Sequence, residues 1–283
     1  MTERPVGRQF SPVLANVRAD RVREVAALAG RSARRRASQF LVEGPQAVRE
    51  VVAFRAEHVR DVYVVEHAWG ARGALGEIAD AALAVGLFVH PMTAEVAQAL
   101  SPDCQGIVAV AQTGAIEAAL APGSARLIAI LSQVRDPGNA GAAIRVADAA
   151  GADAVILAGD SVDPTNPKVV RATAGSLFHL PVMRAASLAD AVALVREAGL
   201  GVLAADVSGA TELGSDGTSG VGAPDLAEPT AWVFGNEAWG LNADELALAD
   251  SVVRIPIFGH AESLNLGTAA AVCLYASAQA QRR

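Results

Sequence analysis

Three short segments carry the residues best equipped for chemistry. Asp136-Pro-Gly-Asn-Ala-Gly-Ala-Ala-Ile-Arg145 sets Asn139 where it can cap a helix, with Arg145 two turns into that helix. Phe234-Gly-Asn-Glu-Ala-Trp-Gly-Leu241 places Asn236 and Glu237 between Gly235 and Gly240, whose missing side chains let backbone approach a ligand closely. Ile255-Pro-Ile-Phe-Gly-His-Ala-Glu-Ser-Leu-Asn-Leu266 brings Ser263 and Asn265 to the start of the last helix. Amides, a carboxylate, a hydroxyl and one fixed positive charge can orient a polar substrate and grip an anion. Taken singly, each segment is also an ordinary junction: a capped helix with a surface Arg, a tight turn, a helix start.

Other chemistries find no footing. The sequence contains no G-x-x-x-x-G-K-[ST], H-E-x-x-H, C-x-x-C or G-x-S-x-G. Pro137-Gly-Asn-Ala-Gly141 is not the dinucleotide fingerprint G-x-G-x-x-G. His58, His67, His90, His179 and His260 lack ligand spacing and read as surface or locally bonded residues, so no metal is expected. Cys104 and Cys273 are two isolated thiols, neither a disulfide framework nor a zinc ribbon.

The elements that must position these segments read as two α/β units. In residues 20–112, Val22, Val25 and Leu28 fall at helical spacing over Ala19–Gly30, with Gly30 placed to stop the helix. Phe40-Leu-Val42, Val62-Tyr-Val-Val65, Leu87-Phe-Val89 and Ile107-Val-Ala-Val110 are predicted strands. Residues 113–125, with Pro122-Gly123, form the expected linker. Residues 126–283 open on Leu127-Ile-Ala-Ile-Leu131, an apolar run suited to a buried parallel strand. Helices over Ala140–Ala150, Ser187–Ala198 and Leu264–Gln279 alternate with strands Ala154–Leu157, Val202–Ala205, Ala231–Phe234 and Val252–Ile255, which predicts a sheet covered on both faces. Val207–Pro229, rich in Gly, Ser and Asp, reads as a mobile surface loop. Each of the three segments follows a predicted strand, at the carboxyl end where open α/β sheets bind ligands.

Charge adds a direction. The chain has 283 residues and a formal net charge of −7. Its first fifty residues hold ten arginines against five acids, so the remainder is strongly acidic. A basic front that includes a basic arm over residues 1–19 suits a polyanionic partner, because phosphates reward clustered Arg with counterion release. Arg34-Arg-Arg36 is its densest point. Hydrophobic residues at 52% and charged residues at 19% exclude wholesale disorder. No apolar stretch reaches the ~18 residues that span a bilayer, and Met1-Thr-Glu-Arg-Pro5 is unlike a signal peptide, so a soluble cytoplasmic protein is expected.

In combination, Gly-Asn-Glu-x-x-Gly-Leu, Ile-Pro-Ile and Ser-Leu-Asn, in this order and spacing, resemble the SpoU (TrmH-like) family of RNA ribose 2'-O-methyltransferases of the SPOUT superfamily. Asn139 and Arg145 match the family's Asn-x-x-x-x-x-Arg, and Asn166–Phe178 is similar to its intervening pattern. Residues 20–112, with Phe40-Leu-Val-Glu-Gly44, resemble its accessory RNA substrate-binding domain. Two departures stand out: Leu266-Gly-Thr268 where Val-Ser-Val is usual, and Ala238-Trp239 where a Gly commonly follows the Glu.

The resemblance implies an α/β fold whose C-terminal SPOUT domain ties a trefoil knot around a parallel sheet, S-adenosylmethionine as cofactor, and a homodimer. Gly235, Ile255 and Leu264 match cofactor-contacting positions, and Asn236 and Gly240 lie in the same loop. Arg145 matches the residue assigned to activating the ribose 2'-hydroxyl. A guanidinium is effectively always protonated, so it is better suited to steadying an alkoxide and gripping a phosphate, which leaves Glu237 as the candidate base. Asn139, Ser263 and Asn265 are expected to orient the ribose and Arg145. Arg34, Arg35, Arg36, Lys168 and Arg171 are the expected RNA contacts. The accessory domain favours structured rRNA as substrate; the alternatives are a tRNA ribose methyltransferase and a non-catalytic RNA-binding or ribosome assembly factor of the same fold.

Overall fold

Apolar runs punctuated by turn residues settle into two separate sheets. The computed structural model describes residues 12–70, 72–117, 120, 123–214, 217–219 and 223–282. The chain divides into one unit ending at Ala115 and a second beginning at Ile116. Among the described residues, no helix is long and apolar enough to cross a membrane.

The first unit runs α1 (Asp20–Ala27), α2 (Arg31–Ala37), β1 (Gln39–Glu43), α3 (Pro45–Phe54), β2 (Val59–Val65), α4 (Ala74–Ala84), β3 (Phe88–Met92), α5 (Ala94–Leu100) and β4 (Ile107–Gln112). Its sheet has the order β1-β4-β2-β3, with β4 antiparallel to both neighbours and β3 parallel to β2. Pro91 is accommodated because β3 is an edge strand, where a missing N–H breaks no ladder. The helix α1 stops at Ala27, short of Gly30, and the carbonyls just past its end are taken up by Arg34: Nη1 donates to Ala29 O at 2.8 Å and to Leu28 O at 3.3 Å.

A polar cluster is sealed into this unit. Register pairs Tyr63 with His90, and His90 Nε2 lies 2.8 Å from Asp61 Oδ1. Arg21 Nη2 reaches the same oxygen at 3.1 Å, and Arg60 Nε stands 3.0 Å from Asp61 Oδ2. Burial works to raise the Asp61 carboxyl, but the bond from His90 and the charges of Arg21, His90 and Arg60 outweigh it, holding the group below the usual carboxylate range. Burial, aided by the Asp61 charge, pushes the Tyr63 phenol up to about 12.

The second unit runs β5 (Leu127–Ser132), α6 (Pro137–Ala150), β6 (Ala154–Ala158), α7 (Pro167–Ala172), β7 (Val182–Ala185), α8 (Leu188–Glu197), β8 (Gly201–Ala205), β9 (Thr211–Gly214), β10 (Gly217–Ser219), β11 (Thr230–Phe234), α9 (Ala243–Leu246), β12 (Ser251–Arg254) and α10 (Leu266–Ala280). The sheet order is β10-β9-β12-β8-β11-β5-β6-β7, parallel throughout except for the β9–β10 hairpin. On one face, Leu188, Ala191, Val192 and Val195 of α8 pack over Ile128, Ile130, Ile156, Val202 and Val233. Toward the C-terminal helix, buried Trp232 donates Nε1 to Ser277 Oγ at 2.9 Å, tying β11 to α10. The start of the expected linker is also held, since Ile116 O accepts the N–H of Val182.

Within the stretch Val207–Pro229, read from composition as a mobile loop, the described residues include two strands. Val253 and Arg254 pair with Thr211 and Glu212, so the described part extends the sheet beyond β12. Gly209 makes this possible: a Cβ there would stand 2.7 Å from both Arg254 N and Val252 O. Arg254 then locks the pair, donating to Glu212 Oε2 at 2.7 Å and to Gly209 O at 3.1 Å.

Candidate functional site

Three loops meet at the carboxyl ends of β5, β11 and β12. Asp136, not Asn139, caps α6: its Oδ1 accepts the N–H of Asn139 at 2.7 Å, and Pro137 fills the first helical position. Asn139 therefore sits in the first turn with its side chain free to reach outward. Its Oδ1 accepts from Asn265 Nδ2 at 2.8 Å, and its Nδ2 donates to Glu237 Oε1 at 3.2 Å. Glu237 and Asn265 are exposed and Asn139 is half-buried. One residue from each segment thus joins a single hydrogen-bonded chain, across sequence separations of 98 and 126 residues.

Each member is held from behind. Asn265 is the N-cap of α10, its Oδ1 accepting the N–H of Gly267 at 2.9 Å. Gly267, a departure from the usual pattern, fits a close helix crossing: a Cβ there would come 3.0 Å from Ala142 Cβ on α6. Gly141, the residue before Ala142 on α6, would place a Cβ 2.3 Å from Ala172 Cβ on α7 and so admits no side chain.

The β11 loop closes on itself. Asn236 and Gly240 exchange backbone hydrogen bonds at 3.1 and 2.9 Å, and Gly240 takes a φ of +67°. A Cβ on Gly235 would lie 2.5 Å from Gly240 C, so glycine is required there by the loop's own closure. Asn236, expected among the cofactor-binding residues, has its side chain buried. Its Nδ2 donates to Gln133 O at 2.7 Å and its Oδ1 accepts the N–H of Ala238 at 2.8 Å, so its amide is spent joining two loops. Glu245 completes the brace, accepting from Ser132 Oγ at 2.8 Å and Gln133 Nε2 at 3.2 Å while boxing the start of α9 with Asn242. Burial works to raise its carboxyl, but hydrogen bonds from the Asn242 backbone, Ser132 and Gln133 win and keep it below the usual range. Ser132, Gln133 and Glu245 escape sequence reasoning. The only local hint is Asn242-Ala-Asp-Glu245, which reads as a capping box.

Arg145 is exposed on α6, about 9 Å along the axis from Asn139. Among the described residues neither its side chain nor that of the exposed Ser263 makes a hydrogen bond or ion pair, and neither joins the Asn139 cluster. Lys168 is exposed in the first turn of α7 and Arg171 half-buried further along it. In the first unit Arg35 and Arg36 are exposed, but Arg34 is not an RNA contact. It is 3% exposed, and its guanidinium serves the end of α1. Three consecutive helical residues splay by about 100° each, so one of them must face inward.

Ile255 and Leu264, half-buried, flank a segment whose backbone is unspent: among the described residues, positions 257–264 make no backbone hydrogen bond. Apolar side chains beside free amide and carbonyl groups suit a nucleoside carrying an amino acid, the chemistry of S-adenosylmethionine. No group of His, Cys, Asp and Glu able to hold a metal ion is found among the described residues.

Residues 126–275 match the SpoU rRNA methylase family. The 23S rRNA (guanosine-2'-O-)-methyltransferase RlmB of Bordetella pertussis is 31% identical over 252 residues, covering 85% of this chain and 97% of that protein. The 23S rRNA (guanosine(2553)-2'-O)-methyltransferase RlmP of Bacillus subtilis is 36% identical over 156 residues, and the match spans only 58% of that protein's length. The crystal structure of the SpoU methyltransferase AviRb from Streptomyces viridochromogenes, in complex with the cofactor AdoMet, superposes with a TM-score of 0.76 at 30% identity, covering 92% of this chain and 98% of that one.

Proposed function

Since the chain belongs to the SpoU rRNA methylase family, we propose that it is an S-adenosylmethionine-dependent methyltransferase acting on a ribose 2'-hydroxyl of structured RNA, and that the RNA is ribosomal. The observation that carries this reading is the Asn265–Asn139–Glu237 chain, which draws all three segments into one polar cluster at the strand ends. S-adenosylmethionine, when bound, supplies a methyl group already electrophilic on its sulfonium. The protein's task is then to place the attacking oxygen and manage its proton; alignment of this kind supplies several of the ~7–11 kcal/mol available from proximity.

Ile255, Leu264, Gly235 and Gly240 hold the cofactor, chiefly through backbone. Arg145 grips the phosphate beside the target and steadies the oxygen as its proton leaves. Glu237 Oε1 is committed to Asn139, which leaves Oε2 to receive that proton. Asn139, Asn265 and Ser263 orient the ribose. The unit ending at Ala115 selects the RNA, with Arg35 and Arg36 on phosphates, and Lys168 and Arg171 add contacts on α7. The enzyme works in the cytoplasm as a homodimer, for which exposed Val272 and Tyr275 on α10 offer an apolar face. The route of residues 255–265, from β12 back across β8, β11 and β5 to the start of α10 beside α6, is the segment that would close the knot.

The test uses the full chain, S-adenosylmethionine labelled in its methyl group, and rRNA and tRNA transcribed from the source organism's genes. Expected is label in rRNA, recovered after alkali in nuclease-resistant dinucleotides, because a 2'-O-methyl blocks cleavage. Label confined to bases, to tRNA, or absent would overturn the reading.

A further inference from the structure

The β11 loop carries an indole that its own packing does not use. Trp239 is 51% exposed, whereas Trp232, in the middle of β11, is fully buried. An indole gains much from burial, so one left half in water on a rigid support is informative. The support is rigid: Asn236 and Gly240 exchange backbone bonds around Trp239, and the Asn236 amide is anchored to Gln133 O. The ring is also backed. The Arg135 guanidinium carbon lies 5.4 Å from the ring centroid, and Arg135 is itself held by Asp160 at 3.0 Å. Arg135 leaves β5, Asp160 follows β6 and Trp239 follows β11, so the assembly stands on the same strand ends as Asn139 and Glu237. Only two positions separate Trp239 from Glu237.

We propose that Trp239, backed by Arg135, is a stacking platform for an unpaired RNA base next to the ribose that is methylated. This rests on the reading of the site as a ribose methyltransferase and adds how the substrate is presented. Every base has a π-face, and proteins that read loops splay bases onto aromatic rings or guanidinium planes. An exposed ring held from one side by a fixed cation offers that surface with little entropy left to lose on binding. Trp239 and Arg135 are positioning residues: they hold the neighbouring nucleotide so that the 2'-hydroxyl meets Arg145 and Glu237 in register.

Methyl transfer to the rRNA transcript is measured for Trp239→Ala, Trp239→Leu and Trp239→Phe, with cofactor binding followed by calorimetry. The Ala and Leu variants are expected to lose roughly 5–150-fold in kcat/KM, the range of a single base–aromatic stack. Phe should recover most of it, and cofactor affinity should stay the same in all three. In a Trp69→Phe background only buried Trp232 and exposed Trp239 remain as indoles, and added transcript should quench the Trp239 emission. Ala at the wild-type rate, Leu as active as Phe, or unquenched emission would overturn the platform. A wild-type protein that transfers no methyl to rRNA would instead sink the methyltransferase reading, while quenching would still report on the platform.

Discussion

In the unit ending at Ala115, Asp61 and His90 are 2% and 4% exposed and lean on Arg21 and Arg60; in the other unit, Glu237 and Asn265 stand open to solvent and are joined through the half-buried Asn139. The closed cluster holds a depressed Asp61 and a raised Tyr63, both buried, while the open one is braced from behind by Glu245, whose carboxyl is also held down. The open one has direction: three side chains fixed by a helix cap, a closed loop and a capped first turn. Displaced ionisation is a common pointer to function. Here it marks structural joints, Asp61 between α1 and the first sheet and Glu245 behind the β5 and β11 loops. A reaction whose electrophile arrives ready-made asks its site for placement more than for altered acidity.

The contrast breaks first at Arg145. If it holds phosphate and developing alkoxide together through a planar fork, Arg145→Lys should slow single-turnover methyl transfer roughly 10²–10³-fold, about 2.7–4 kcal/mol. Its exposure predicts an unchanged unfolding midpoint and unchanged cofactor affinity. A Lys variant within threefold of wild type would reduce Arg145 to a general positive charge.

Asp61→Ala should do the reverse. We expect a loss of about 2–3 kcal/mol in the first unit, below the ~3–5 typical of a fully buried pair because Arg21 and Arg60 can turn to water, with cofactor binding intact. The carboxyl is depressed in the folded state, so its contribution is present at neutral pH. It fades once pH falls below the ordinary value of 3.8 and is gone only below the native value. Acid unfolding followed for wild type and variant should show this fraction missing in the variant; parallel curves would place the acid sensitivity elsewhere.

The smallest effects sharpen the division inside one helix. Replacing Arg35 and Arg36 by Ala should flatten the log–log salt dependence of RNA binding by up to about two and leave stability alone. Arg34→Ala should leave the slope and lower the thermal midpoint, since it removes charged hydrogen bonds worth about 1.5–3 kcal/mol from the end of α1. Slope changes of equal size at all three positions would contradict the inward turn of Arg34.

The parts legible in sequence are those whose physics is local. Continuous apolar runs such as Leu127–Leu131 announce buried parallel strands, and Asn265 before Leu266 announces a helix start. What escaped depends on partners far along the chain. Thr211–Gly214 is a strand only because β12 offers an edge, and its Gly-rich surroundings look like a loop until Gly209 is seen pressed against Arg254. Asn139 reads as a cap because Asn often is one; Asp136 took that role, and the consequence, an amide that bridges Glu237 and Asn265, is visible only in three dimensions. Asn236 reads as a ligand contact because it lies in the loop between Gly235 and Gly240; that those glycines also serve the closure of their own loop, and that the Asn236 amide bonds to Gln133 O, is visible only in the fold.

The hairpin on β12 has a consequence for the solubility of the molecule. Without it β12 would end the sheet, a strand with unpaired amides and carbonyls on one side, ready to recruit a stranger's backbone. With it the sheet ends at Gly217–Ser219, three residues long and therefore a poor template for further growth. A surface insertion thus acts as a guard against self-association at the strand that leads directly into the Ile255–Asn265 segment.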